Sequence, residues 1–141
     1  MIFVKIKGNR LPFHGSAGSA GYDLAASLDV PVEIQPGETK IIGTGTAMEI
    51  PAGYFGQLHG RSSMAIRRGL QLVTGVSVID SDFRGEIMVG LRNISDEPQI
   101  VHDGERIAQI IFQKYDEANY IQVDELTGSG RGSGGIGSTG K

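Results

Sequence analysis

The chain has 141 residues, 39% of them hydrophobic and 21% charged, a formal net charge of −3 and no cysteine; this is the size and balance of one globular domain with a core of its own. Without cysteine there is no disulfide, thiolate metal site or cysteine nucleophile, and the negative charge argues against a general nucleic-acid binder with a broad basic face. No run approaches the roughly eighteen apolar residues of a membrane span, and the opening MIFVKIKGNR lacks the layout of a signal peptide, so no membrane partner and a cytosol-like compartment are expected.

In chain order, Ile2, Val4 and Ile6 alternate with Phe3, Lys5 and Lys7, and Val30, Val32 and Ile34 alternate around Pro31 and Glu33. Short β-like runs follow at 40–50, 54–59, 70–73 and 76–79, and Ile87, Val89 and Leu91 alternate with Met88, Gly90 and Arg92. Further runs lie at 99–101, 106–115 and 120–123. Turn signals divide them at Gln35-Pro36-Gly37, Pro51-Ala52-Gly53, Ser95-Asp96-Glu97-Pro98 and His102-Asp103-Gly104. Many short strands at this spacing predict an all-β sandwich or barrel. Only 62–68 reads as helix, opening with Ser caps and closed by Gly69. Coming just after Gly60-Arg61, its first turn offers free N–H groups to an anion, although a plain connecting turn would look the same.

Few side chains are arranged for chemistry. Asp80-Ser81-Asp82-Phe83-Arg84-Gly85-Glu86 is the densest acidic cluster, set on a tight hairpin after the apolar run 76–79. It fails as a calcium loop, because Arg84 stands at the third ligand position and Leu91 at the closing one. What remains is an ordinary polar hairpin or a carboxylate at a strand end, poised to take a proton from water. His14, His59 and His102 lack metal-ligand spacing, Ser62 and Ser63 have no His/Asp partner nearby, and no P-loop pattern occurs. Asn93-Ile94-Ser95 matches a glycosylation acceptor by chance. Seven arginines but one lysine, Lys114, lie between Gly60 and Gly132, which suits bidentate recognition of phosphate or carboxylate. The last fourteen residues, GSGRGSGGIGSTGK, contain seven glycines. They cannot build a core. Such a segment is either a linker or a wrap for a polyanion, and the lone Arg131 and Ile136 favour the second.

Five segments occur in a fixed order: Ala20-Gly21-Tyr22-Asp23-Leu24, Gly60-Arg61-Ser62-Ser63-Met64-Ala65, the stretch Val78 to Glu86, Gly104-Glu105-Arg106-Ile107-Ala108-Gln109, and Arg131-Gly132 through Gly137-Ser138-Thr139-Gly140. Their order and spacing resemble the five motifs of the trimeric deoxyuridine triphosphatases (dUTPases). The resemblance implies a jelly-roll domain over 1–127 and a flexible arm over 128–141. It implies a homotrimer with shared active sites, the arm of one subunit closing over a site built by the other two. It also implies Mg²⁺-dependent hydrolysis of dUTP to dUMP and pyrophosphate, in the cytoplasm, or in the host cytoplasm or nucleus were the chain viral.

Carried over residue by residue, the resemblance makes Asp80 the general base, and gives Asp23 the metal through its water ligands. Arg61, Ser62, Ser63 and Gln109 would bind phosphates, joined from the arm by Arg131, Ser138 and Thr139, with Gly137 a further substrate-binding residue of the arm. The hairpin from Thr74 through Val78 and Ile79 to Asp80 would read uracil with main-chain groups, Phe83 would lie under the deoxyribose, and Met88 would sit close by. Three positions depart from the family pattern: Phe83 for Tyr, Ser77 for Gly, and Ile136 for Phe. The last predicts a weaker cover over the base, since Ile lacks a π-face. A deaminase of the same fold would need an acid on the strand after the hairpin, where this chain has Gly90. A binding protein without chemistry would be expected to lack a base or phosphate ligand, and all are present.

Overall fold

Alternation dictates the architecture. The computed structural model describes residues 1–136 and 138. Among them are β1 (Lys5–Gly8), β2 (Phe13–His14), β3 (Tyr22–Ala25), β4 (Val32–Ile34), β5 (Thr39–Glu49), β6 (Tyr54–Gly60), α1 (Ser62–Arg68), β7 (Leu70–Leu72), β8 (Val76–Ile79), β9 (Glu86–Asn93), β10 (Gln99–Val101) and β11 (Arg106–Lys114). All pairings are antiparallel. One sheet has the order β1-β5-β9-β7, a second β2-β3-β11-β6-β8, and β10 pairs with β4 alone.

Because successive side chains leave a strand on opposite faces, each strand contributes one inward row. Ile87, Val89 and Leu91 of β9 meet Ile42 and Met48 of β5; Leu24, Leu58 and Ile110 come from the second sheet, and Ile34 and Val101 from the small pair. All belong to one buried cluster, each at most 3% exposed. Burying such a side chain contributes about 1.5–3 kcal/mol. The turns follow the sequence signals: Glu38 N–H bonds Gln35 O across Pro36-Gly37, with Gly37 at φ 76°, and Glu105 N–H bonds His102 O across Asp103-Gly104, with Gly104 at φ 76°. Only a residue without Cβ adopts that conformation cheaply.

Helix α1 has the predicted limits and the predicted Gly69 close but not the predicted Ser caps. Its N-cap is Arg61, with no side-chain cap bond, while Gly69 ends it in the left-handed conformation at φ 63°. Asn93 is wholly buried and its Nδ2 donates to Ile34 O and Glu97 O, so it offers no acceptor for a glycan.

Three strand expectations are corrected. The N-terminal alternation holds, but the ladder starts at Lys5, where pairing with Glu49 begins. Strands β2 and β3 lie in a Gly/Ser/Ala-rich stretch with little β-propensity; their pairing with each other, and β3's with β11, makes them strands. Residues 120–123 form no strand: Tyr120 and Ile121 are 96% and 84% exposed, and among the described residues no strand pairs with them.

Candidate active site

Strand β6 carries a functional group at each end. At its C-terminal end, Gly60 and Arg61 meet β11 and β3, since Gln109 pairs with both His59 and Asp23. This register brings three of the five sequence motifs together. Arg61 Nε donates to Asp23 Oδ1 at 3.0 Å and Arg106 Nη1 donates to Asp23 Oδ2 at 3.1 Å. Arg61 Nη1 donates in turn to the main-chain oxygen of Arg106 at 2.8 Å. Two guanidinium groups around one carboxylate leave a net positive charge. Gln109 Nε2 donates to Gly60 O at 3.2 Å. Its Oε1 occupies the space where a Cβ on Gly21 would stand, at 2.5 Å, which explains the glycine of the first motif. Beside this cluster opens a cavity of about 470 Å³ lined by Gly60, Arg61, Ser62, Ala65, Gly75 and Gln109 among others. Ser63, half-buried on α1, is not among its lining residues.

At the other end of β6, Gly56 pairs with Ile79, which delivers Asp80 beside Phe55. A second cavity, about 540 Å³, is lined by Phe55, Val78, Asp80, Ser81, Asp82 and Tyr115. The Phe55 and Tyr115 rings meet edge-on, 6.3 Å apart. Asp80 is exposed. The hairpin after it is braced by main-chain and arginine bonds: Phe83 N–H donates to Asp80 O at 3.2 Å, and Arg84 Nη1 donates to Ser81 O at 2.6 Å and Phe83 O at 2.9 Å. Phe83 folds over Gly85, where a Cβ would meet its ring at 2.6 Å. On the same hairpin, Thr74 Oγ1 and Ser77 Oγ bond each other at 2.6 Å. Val78 is 58% exposed and Met88 48%, on outward strand faces, whereas Ile79 packs against the core.

Between these two clusters runs the length of β6. From Phe55 to Gly60, at about 3.3 Å per residue, they stand roughly 17 Å apart. The chain therefore unites Asp23, Arg61, Ser62 and Gln109, and separately Val78 and Asp80, but not the two groups with each other. Among the described residues of the terminal segment, none lines either cavity. Arg131 Nε bonds Gly134 O at 3.0 Å, Ser138 N–H bonds Gly135 O at 3.1 Å, and Ile136 is fully exposed. Gly137 and Thr139 lie outside the described residues.

Residues that sequence reasoning passed over are Phe55 and Tyr115 at the Asp80 cavity, and Arg106 and Phe13 behind Asp23. Their signal was strand phase: Gly56 and Leu58 face inward, so Phe55 must face out.

The antiparallel sheets define a jelly-roll class of protein with two polar clusters on one strand. The dUTPase family model matches residues 9–140. The chain is 47% identical over 137 residues to the deoxyuridine 5′-triphosphate nucleotidohydrolase of Desulfitobacterium hafniense, covering 96% of this chain and 91% of that one. It is 45% identical over 131 residues to that of an Anaeromyxobacter species, covering 93% and 88%. Among solved structures, a Staphylococcus bacteriophage 80alpha dUTPase with dUPNHPP superposes at TM-score 0.90 with 25% identity, covering 100% of both chains. The dUTPase of Streptococcus mutans superposes at 0.74 with 26% identity, covering 82% of this chain and 98% of that one. The chain belongs to the dUTPase family.

Proposed function

We infer that the chain is a dUTP diphosphatase, releasing dUMP and pyrophosphate at sites that two or more copies complete. The family match supports the reaction, and one geometric observation carries the assembly: Asp80 and the Arg61 cluster lie at opposite ends of β6, roughly 17 Å apart by strand rise. A triphosphate cannot bridge that gap while its innermost phosphorus lies within one water of Asp80. The Asp80 of one copy must then face the Arg61, Ser62 and Gln109 of another. We assign the family's homotrimer to this chain, with residues 128–141 of a third copy closing over the site.

In that arrangement Asp80 orients a water and accepts its proton as the oxygen attacks the α-phosphorus. The bond from that phosphorus to the bridging oxygen breaks, and charge gathers on departing pyrophosphate. Arg61 is prepared to receive it: Nε and Nη1 are held by Asp23 and the Arg106 carbonyl, which leaves Nη2 for a phosphate oxygen. The Gln109 amide and the Ser62 and Ser63 hydroxyls add donors, with Arg131, Ser138 and Thr139 supplied by the arm. Phe83 offers its ring to the deoxyribose. The β8 hairpin reads uracil with main-chain groups, and Ile136 covers the base. The Ser77 hydroxyl, engaged by Thr74, stays at the hairpin.

Both Asp23 oxygens already accept one guanidinium bond, and no group of three or more His, Cys, Asp or Glu fit to hold a metal occurs among the described residues. Direct ligation does not fit. Each oxygen keeps a lone pair, which fits Asp23 as an acceptor for waters around a hydrated Mg²⁺. Bound there, Mg²⁺ would neutralise triphosphate charge.

Deamination finds no support at Gly90, where even a Cβ would meet Val73 Cγ1 at 2.7 Å. The test is pyrophosphate release from dUTP, dTTP, UTP and dCTP with and without Mg²⁺. Activity is expected on dUTP alone, dependent on Mg²⁺, and lost roughly a thousandfold in Asp80→Asn, as for removal of a general base. Ammonia release from dCTP, or full activity in Asp80→Asn, would overturn the assignment.

A further inference from the structure

We propose that Arg106 and Phe13 form a clamp that sets the orientation of Arg61, making both positioning residues for the outer phosphates. Arg106 touches the site from behind. Its guanidinium lies 5.0 Å from the centroid of the Phe13 ring, a cation–π distance, while Nη1 bonds Asp23 Oδ2 at 3.1 Å. The register explains the convergence: Phe13 on β2 pairs with Asp23 on β3, and Arg106 on β11 pairs with Ala25 on β3, where a bulge follows before Ala108. A bulge re-aims side chains. Ring, guanidinium and carboxylate thus stand in one row across three strands.

The row ends on Arg61. Asp23, its side chain 16% exposed, receives Arg61 Nε at 3.0 Å and Arg106 Nη1 together, and the Arg106 carbonyl receives Arg61 Nη1 at 2.8 Å. Arg106 therefore acts on Arg61 twice, through the carboxylate and through its own main chain. A guanidinium held at two nitrogens cannot rotate in its plane, which leaves Nη2 of this arginine, a lining residue of the 470 Å³ cavity, for a phosphate oxygen. The Phe13 ring covers one face of the Arg106 guanidinium and restrains a side chain that is still 46% exposed with the ring in place. A lysine at 106 would keep the charge but could not offer a planar fork to Asp23 and a flat face to Phe13 at once.

This inference rests on the assignment of phosphates to Arg61, and the experiment separates the two. Affinity for the non-hydrolysable dUPNHPP and for dUMP is measured by calorimetry for the parent, Arg61→Gln, Arg106→Lys, Phe13→Leu and Phe13→Tyr, together with melting temperature. For Arg106→Lys, dUPNHPP affinity is expected to fall roughly tenfold, the scale of one charge-assisted hydrogen bond, while dUMP affinity stays within about twofold. Phe13→Leu should fall about threefold and Phe13→Tyr should match the parent, with melting points unchanged within a few degrees. If Arg61→Gln binds dUPNHPP as the parent does, both the phosphate assignment and the clamp are wrong. If Arg61→Gln weakens binding but Arg106→Lys or Phe13→Leu does not, the clamp alone is wrong. Equal loss of dUMP and dUPNHPP affinity, or loss in step with melting temperature, makes Arg106 a structural residue and overturns the proposal.

Discussion

Mixing two inactive variants offers the sharpest test of a shared site. Asp80→Asn removes the proton acceptor and Arg61→Gln a phosphate donor, with expected losses of roughly 10³ and 10² in rate. In one chain these residues sit at opposite ends of β6, about 17 Å apart for the five steps from Phe55 to Gly60. If each site draws Asp80 from one copy and Arg61 from another, random reassembly of equal amounts gives both native groups to about one site in four, whatever the cyclic order of copies. Unfolded and refolded together, the variants should recover roughly a quarter of parental turnover, against about one per cent or less for each alone. Pyrophosphate release from dUTP measures this directly, and separately refolded samples mixed afterwards provide the control. A mixture no more active than the mean of its parts would refute the reasoning, because both residues would then serve the same site from the same chain.

Further expectations follow from individual contacts. Asn93 is fully buried and uses its whole hydrogen-bonding capacity, donating to Ile34 and Glu97 and accepting from Ser95 N–H at 2.9 Å and Ser95 Oγ at 2.7 Å. Asn93→Ala should cost about 3 kcal/mol in urea unfolding, since it strands buried donors and acceptors; a loss below about 1 kcal/mol would contradict this. Gly21→Ala places a methyl 2.5 Å from Gln109 Oε1, so the amide must swing off Gly60 O. KM for dUTP should rise severalfold while stability falls by about 1 kcal/mol or less, and an unchanged KM would detach Gln109 from the phosphates. The Leu28 N–H, and then Arg10, hold the Asp103 carboxyl below its ordinary value of 3.8. A depressed folded-state pKa adds stability above that value and loses it as pH falls through the folded one. Asp103→Asn should therefore flatten the acid limb of the stability curve below about pH 4. An identical limb would remove Asp103 from it.

Much of the fold was legible because alternation is a local property. The rows at Ile87, Val89 and Leu91 and at Val32 and Ile34 face inward as their spacing requires, and Gly69 ends α1 where only a left-handed residue closes it. The same local logic failed wherever a partner strand decides. β2 and β3 are strands only because β3 lies against both β2 and β11, and 120–123, as apolar as many real strands, pairs with no strand among the described residues.

For the site, residue identity and order were sufficient to propose Asp23, Arg61, Asp80 and Gln109, because the family resemblance rests on short fixed motifs. Their distances were not. Registers such as His59 opposite Gln109 and Gly56 opposite Ile79 place three motifs at one end of β6 and the fourth at the other. No sequence position encodes the clamp behind Arg61 either, since Phe13, Asp23 and Arg106 lie 93 residues apart at their extremes and meet only through strand pairing and one bulge. Side-chain chemistry is fixed by the covalent chain; which groups share a cavity is fixed by hydrogen-bond register, which depends on the whole sheet.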